Sequence, residues 1–428
     1  MLDIRLIKEK PEEIRQALLK RMDDVDFTEV LDLDTQRRAL IQETEALKAR
    51  RNTVSSQIPV LKKSGEPIDD LQREMQDVSA RIKTLDAELS TIDASIKDFL
   101  IGLPNIPDED VPAGGKENNR VVRTWGEQPR FDFPPRDHVE LVTLLGLIDY
   151  ERGVKMGGRG FWLYKGYGSL MEWGLLNYFV ESHLKDGYEF ILPPHLLNYQ
   201  CGLAAGQFPK FEEDVFHLAT DEDDEKFTQF LLPTAETALI NFHRDEILQE
   251  EELPKKYFAY TPCYRKEAGS YRTQERGMIR GHQFNKVEMF QFTTPDQSDQ
   301  ALEELIAKAE KLVQGLGLHY QVSQLAAKDC SASMAKTFDI EVWIPSMNKY
   351  VEISSASNSR DYQPRRGNIR FKRKDAKKPE FIHALNASGL ATSRLLPAIV
   401  EQYQQADSSV VVPEILRKWV GTDVLQPA

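Results

Sequence analysis

Cysteine is scarce in this chain of 428 residues: Cys201, Cys263 and Cys330 stand far apart, with no Cys-x-x-Cys step. Neither a disulfide framework nor a zinc site is indicated, and a reducing, cytosolic setting is expected. No apolar run approaches the roughly 20 residues needed to cross a bilayer. The opening MLDIRLIKEKPEE is charged from its third residue and lacks the apolar stretch of a secretory signal. Glycine-rich phosphate loops are missing too, both Gly-x-Gly-x-x-Gly and the Gly-Lys-Ser/Thr form. Any nucleotide must therefore be held by another device. Positive charge is also in deficit, at a formal net of -13. That figure governs solubility and long-range steering, so the useful question is whether basic residues gather locally.

What is present, first, is a heptad pattern. Leu71, Met75, Val78, Ile82, Leu85, Leu89, Ile92 and Ile96 recur at alternating steps of four and three, the a/d seam of a coiled coil. Upstream, Leu33, Leu40, Leu47, Val54 and Leu61 step by seven. Ser64-Gly65-Glu66-Pro67 lies between the halves and carries residues that stop helices. The pattern predicts an antiparallel two-helix hairpin, each helix roughly 30 residues and about 45 Å long. A kink or early fraying is expected at Pro59. Lys48, Arg50, Arg51, Lys62 and Lys63 fall between Ala46 and Gly65, a span with no acid. Such a run suits a solvated helix face; at the tip of an arm in an acidic chain it also suits phosphates. The residues alone leave both readings open.

Residues 101–136 are rich in proline, glycine and acids and read as a linker, with a domain boundary near residue 105. Beyond it, strand-like stretches run from Lys256 to Glu267, Ile279 to Phe292, Asp339 to Pro345 and Tyr350 to Ser355. Helical patterns end near Asp186-Gly187 and cover Ala301 to Leu316 and Leu390 to Tyr403, which completes an α+β outline. The densest polar constellation is residues 261–292. Its two strands flank a polar loop, Gly269 to Met278, and can pair as a hairpin with Arg265 and Glu267 facing one side. Glu288 sits among Val287, Met289 and Phe290, a costly place for a charge unless it binds something. A structural ion pair between the strands is the lesser alternative. Thr234 and Glu236 close an apolar segment, and Glu352 lies between Val351 and Ile353. Several carboxylates and an arginine on one sheet suit a substrate with an amine, a hydroxyl and a polyphosphate carrying a hard cation.

These stretches carry a resemblance. MLDIRLI, the heptad arm, GQFPKF, TAE, TPCYRKEAGS, RGHQFNKVEMFQFTTP, KTFDIEVWIP, EISSASN, NASGLATSR and QYQQAD occur in the order found in bacterial-type seryl-tRNA synthetases, which are class II aminoacyl-tRNA synthetases. GYEFILPP resembles class II motif 1, residues 261–292 motif 2, and ASGLATSRLLPAIVEQ motif 3. The resemblance spans the chain. It implies an α+β fold: an N-terminal antiparallel coiled-coil hairpin that binds tRNA, residues 1–105, and a class II catalytic domain of antiparallel sheet flanked by helices, residues 106–428. It implies L-serine, ATP and tRNA(Ser) as partners, tRNA(Sec) as a further candidate, Mg²⁺ with the ATP, a homodimer built on motif 1, and no membrane or zinc.

Residue roles follow from the same resemblance. Arg265 would hold the ATP α-phosphate, with Lys266 and Glu267 beside it and Glu267 near the adenine amino group. Phe284 and Arg394 would sandwich the adenine ring, making Arg265 and Arg394 the catalytic pair. Thr234, Ala235, Glu236, Glu288 and Ser388 match the serine-binding set. Glu352, Ile353, Ser354 and Ser355 match an ATP-binding strand in which Glu352 and Ser355 hold magnesium. Strict alternation would put those two on opposite faces, so the strand is expected to end or bulge between them. Lys48, Arg50, Arg51, Lys62 and Lys63 would contact tRNA. The loop Tyr271 to Glu275, Ala204-Ala205, Ala327 to Cys330, Ala387 and Ser393 depart from the common pattern without removing a matched arginine or carboxylate. A synthetase paralogue, such as a carrier-protein ligase or a regulatory partner, is the alternative, and the long arm counts against the ligase. A coiled-coil interaction protein would leave the carboxylate-bearing strands unexplained.

Overall fold

The heptad seam becomes two helices, α1 (Thr28–Ser64) and α2 (Asp69–Gly102), within the compact unit Leu2–Pro104. Gly65 ends α1 in the left-handed region at φ 78°, its N–H returning to Leu61 O. The seam residues Val54, Ile82, Leu85 and Ile96 are buried, and the other seam positions are half-buried. Ion pairs cross between the helices at Arg37–Asp93, Arg81–Glu43, Lys48–Asp86 and Arg50–Glu74. Each exposed pair contributes about 0–1 kcal/mol, so the seam rather than the charges holds the hairpin together. The helices are longer than the pattern predicted, at 37 and 34 residues. Early fraying does not occur, because α1 continues through Pro59 to Ser64.

The computed structural model describes residues 1–65, 67–218, 229–267 and 277–427. The second unit, Asn105–Ala428 together with Met1, is built on one eight-stranded sheet. In chain order its strands are β1 (Arg120–Trp125), β2 (Glu189–Ile191), β3 (Lys255–Tyr264), β4 (Gln283–Thr293), β5 (Tyr320–Gln324), β6 (Lys336–Ile344), β7 (Lys349–Arg360) and β8 (His383–Ala391). Their order across the sheet is β1-β5-β6-β7-β8-β4-β3-β2, antiparallel throughout except for β2 beside β3. Residues 101–136 are thus not linker along their whole length: Arg120–Trp125 forms an edge strand, and Asn105 Nδ2 donates to the carbonyls of Ser333 and Ser359. Proline and glycine signal the absence of helix, and an edge strand exposed along its length carries no alternation to betray it.

One sheet face packs on α3 (Tyr167–Lys185), α4 (Ser298–Gly315) and α5 (Thr392–Gln402). Val287, Met289, Ile340, Ile353, Ala356 and Ala387 meet Leu175, Phe179, Leu305, Ile306, Leu395 and Ile399 there. Burying each large aliphatic side chain contributes roughly 1.5–3 kcal/mol. The opposite face changes character along β4. Phe292 and Phe290 join an aromatic cluster with Phe230, Tyr257 and Phe371. Two and four residues back along that face, Glu288 and Lys286 replace the aromatics.

Candidate active site

Four neighbouring strands, β4, β8, β7 and β6, build the polar end of this face. Glu288 on β4 lies opposite Ser388 on β8, and Asn386 two residues earlier shares the face. Across β7, Ser357 pairs with Asn386 and Ser355 pairs with Asp339 of β6. The register then slips: Ser354 pairs with Ile340, but Glu352 pairs with Glu341. Ile353 is the extra residue, turned into the core with Ile340. This bulge lies where alternation required one, and it puts Glu352 on the face of Ser355 and Asp339.

Thr234 and Glu236 do not come from the sheet. They sit in a loop and at the start of the short helix Glu236–Leu239, which reaches over β4. Thr234 Oγ1 lies 3.4 Å from Glu288 Oε2 and accepts a 2.7 Å bond from Lys286 Nζ. Glu288 is ion-paired with Lys286, its neighbour two residues back, rather than with an arginine of the adjoining strand. The Glu236 carboxylate accepts from Gln363 Nε2 at 2.7 Å and Asn386 Nδ2 at 3.2 Å. The same Asn386 amide donates to Glu288 Oε1 at 3.2 Å. Burial, then the charge of Glu288, raises Glu236 to about 7, against the opposing pull of Gln363, Lys286 and Arg265. Ser388 contributes its carbonyl to the bond from Ser354 Oγ, at 2.6 Å.

The arginines occupy the other side. Arg265 follows the end of β3, its Nε donating to Pro233 O at 3.1 Å and its guanidinium lying 5.2 Å from the Phe284 ring centroid. Arg394, from the first turn of α5, donates to Glu352 O at 2.7 Å and to Glu352 Oε2 at 3.3 Å, while its Nε bonds Ile279 O. Partial desolvation by the surrounding protein pushes the Glu352 carboxyl up, but Arg394 and Arg265 hold it below the usual carboxylate range. Its side chain is 45% exposed, so the guanidinium rather than desolvation decides its charge. Asp339 goes the other way, raised by burial and by Glu352.

Some sequence expectations fare differently. Glu267 does not share a strand face with Arg265: β3 stops at Tyr264, and Glu267 has φ 52° and pairs with Arg280. Lys266 sends its ammonium to His217 Nδ1 at 3.3 Å, apart from the Arg265 group. Ala235 is buried in the aromatic cluster. The loop Gly269 to Glu275 lies outside the described residues, and Gly277–Ile279 forms a short 3-10 turn instead of strand. Lys286, Asn386 and Gln363 were not anticipated. A buried lysine two residues from a buried glutamate on one strand was the available signal for the first; the amides gave none. Behind the site, Glu172 of α3 accepts from Asn285 Nδ2 at 2.7 Å and Thr392 Oγ1 at 2.5 Å, tying β4 to the start of α5.

An antiparallel sheet with a helix-borne arginine, a strand-end arginine and a carboxylate pocket between them defines the core of a class II aminoacyl-tRNA synthetase. Residues 216–403 match the family described as tRNA synthetase class II core domain (G, H, P, S and T), and residues 1–107 match the seryl-tRNA synthetase N-terminal domain. Serine--tRNA ligase 2 of Clostridium acetobutylicum is 64% identical over 426 residues, covering 99% of this chain and 100% of the relative. The serine--tRNA ligase of Thermodesulfovibrio yellowstonii is 46% identical and covers 100% of both. The crystal structure of seryl-tRNA synthetase from Pyrococcus horikoshii complexed with ATP superposes with a TM-score of 0.92 at 33% identity, covering 100% of both chains. The chain belongs to the seryl-tRNA synthetase family.

Proposed function

We propose that the chain activates L-serine with ATP to form seryl-adenylate and transfers serine to the 3′ end of tRNA(Ser), with tRNA(Sec) a second candidate acceptor. The observation that carries this reading is the neighbourhood on one sheet face. Carboxylates, an amide and a hydroxyl (Glu236, Glu288, Asn386, Thr234) sit beside two arginines. That set fits an ammonium and a hydroxyl on one side and a polyphosphate on the other. The serine carboxylate attacks the α-phosphorus in line, pyrophosphate leaves, and the terminal ribose hydroxyl of tRNA then attacks the activated carbonyl. Arg265 and Arg394 neutralise charge that grows on the phosphorus oxygens, and the fixed pocket supplies orientation. Serine is chosen over alanine because pocket groups lose a partner when the hydroxyl is absent, worth roughly 10⁴-fold in comparable sites.

Magnesium fits the residues present. Glu352, Ser355 and Asp339 share a face as hard oxygen donors, and Asp339 Oδ1 is buried with no hydrogen-bond partner. Among the described residues no group of three or more His, Cys, Asp or Glu side chains could hold an ion unaided. Mg²⁺ bound mainly through substrate phosphates matches that sparse set. When bound it would screen phosphate charge.

Residues 1–105 serve, in this reading, as the tRNA-binding arm through Lys48, Arg50, Arg51, Lys62 and Lys63, and residues 106–428 as the catalytic domain. A homodimer is proposed on α3 and β2, where Leu170, Trp173, Leu184 and Phe190, with Leu192 just after the strand, are exposed. Among the described residues no helix is long and apolar enough to cross a membrane; we place the protein in the cytoplasm. Serine-dependent ATP–pyrophosphate exchange, followed by charging of a serine tRNA transcript, tests the assignment. Exchange driven by another amino acid, or none at all, overturns it.

A further inference from the structure

The pocket assigned to serine already contains a cation. Lys286 is 6% exposed, and its ammonium is bonded to the Glu288 carboxylate and to Thr234 Oγ1. Two groups of the serine set are therefore engaged before any substrate arrives. Glu236 differs. Among the described residues its carboxylate forms no ion pair and is held only by the neutral amides of Gln363 and Asn386.

We propose that Lys286 is the pocket's resident counter-ion and a specificity-positioning residue: it neutralises Glu288, leaving that carboxylate to accept the serine hydroxyl, while Glu236 supplies the anion that receives the serine ammonium. The proposal rests on serine being the substrate.

The charge count carries it. Glu288 is 1% exposed and already paired, so it offers no net negative charge to a second cation. An ammonium entering such a site needs an unpaired anion, and Glu236 is the carboxylate beside it without one. Among the described residues, the charged groups that act most on Glu236 are Glu288 and Lys286 from β4 and Arg265 beyond β3. The buried Cys263 thiol, pushed up by burial, adds no charge. In the free pocket Glu236 titrates near 7. A serine ammonium beside it favours the ionised carboxylate, so binding below that pH sends the proton to solvent. Asn386, bridging Glu236 and Glu288, then holds the two carboxylates at a fixed separation, one for each polar group of serine.

Two measurements on the full-length protein test this. L-serine is titrated calorimetrically at pH 6 in two buffers of different ionisation enthalpy, then again at pH 8.5. Release of close to one proton per serine at pH 6, little at pH 8.5, and none at pH 6 in Glu236→Gln is the expected result. Binding without proton release at pH 6 overturns the role of Glu236. In the second, Lys286→Met is assayed by pyrophosphate exchange with serine and with alanine. The serine-to-alanine ratio of kcat/KM should fall at least tenfold with the KM for ATP within twofold of wild type. A ratio within threefold of wild type, or serine and ATP KM rising together, makes Lys286 scaffolding and overturns its part. Should Lys286→Met fail to fold, the wild-type proton count still decides whether Glu236 takes the ammonium. Absence of serine-dependent exchange in wild type is a separate result: it removes the substrate assignment, and the proposal with it.

Discussion

Arg265 is anchored by one bond to Pro233 O and by the Phe284 ring, and no carboxylate pairs with it among the described residues. Its charge is therefore not spent on a close ion pair among the described residues, and removing it should cost the fold little. Arg265→Ala is expected to lower serine-dependent pyrophosphate exchange more than tenfold with the melting temperature nearly unchanged; exchange within tenfold of wild type removes it from the mechanism. His183 makes the opposite case, a titratable group spent on structure. It is fully buried on α3, its Nε2 paired with Gly389 O at 3.0 Å beside Ser388. Burial lowers its pKa from 6.5 to about 4. A histidine kept neutral in the fold takes up its proton more readily when unfolded, so the unfolded state binds more protons between those two values. Stability is then complete above about pH 6.5 and is lost as pH falls toward 4, by about 3 kcal/mol in all. Urea unfolding at pH 7 and pH 5 should register that slope, and His183→Asn should flatten it.

At the scale of elements, the arm was the most legible part, because a heptad repeat sustained along two segments states its own geometry. The charges on it were less so. A window along α1 sees five cations and no acid, but the return helix sets Asp86 against Lys48 and Glu74 against Arg50. Arg51, Lys62 and Lys63 make no ion pair among the described residues. Replacing these three with Gln should account for most of the loss expected from replacing all five. KM for tRNA should rise and the log–log salt slope of tRNA binding should become shallower by roughly 2–3 units. Pyrophosphate exchange should stay at the wild-type level. Normal charging at moderate salt would reduce the basic tip to a solvated face. Strand ends were read less well than strand centres. Glu267 follows the end of β3 in a left-handed conformation that alternation cannot anticipate, and β1 has no buried face to mark it.

For the molecule as a whole, the carboxylates and arginines were legible from type and surroundings, but their grouping was not. The proposed serine pocket joins residues near 234, 288, 363 and 386, and the topology that places β8 beside β4 helps bring them together. An exposed apolar surface is the other feature that sequence could not draw. Trp173 is 56% exposed on α3, and Phe190 of the edge strand β2 and Leu192 just beyond it are exposed as well. An obligate interface there would bury more than about 2,000 Å² in total. Sedimentation at micromolar concentration should give a dimer, and Trp173→Glu should shift it to monomer; a wild-type monomer contradicts the proposed assembly. The bulge at Ile353 has a consequence of another kind, for how such a sequence can drift over generations. Because the bulge absorbs one residue, deleting Ile353 would close it and leave Glu352 opposite Glu341, still on the face of Ser355, at the cost of one core side chain. An aliphatic exchange at Ile353 would cost little beyond packing. At this one point the strand can therefore shed a residue without turning its carboxylate, and the bulge is spare length that a lineage can keep or drop.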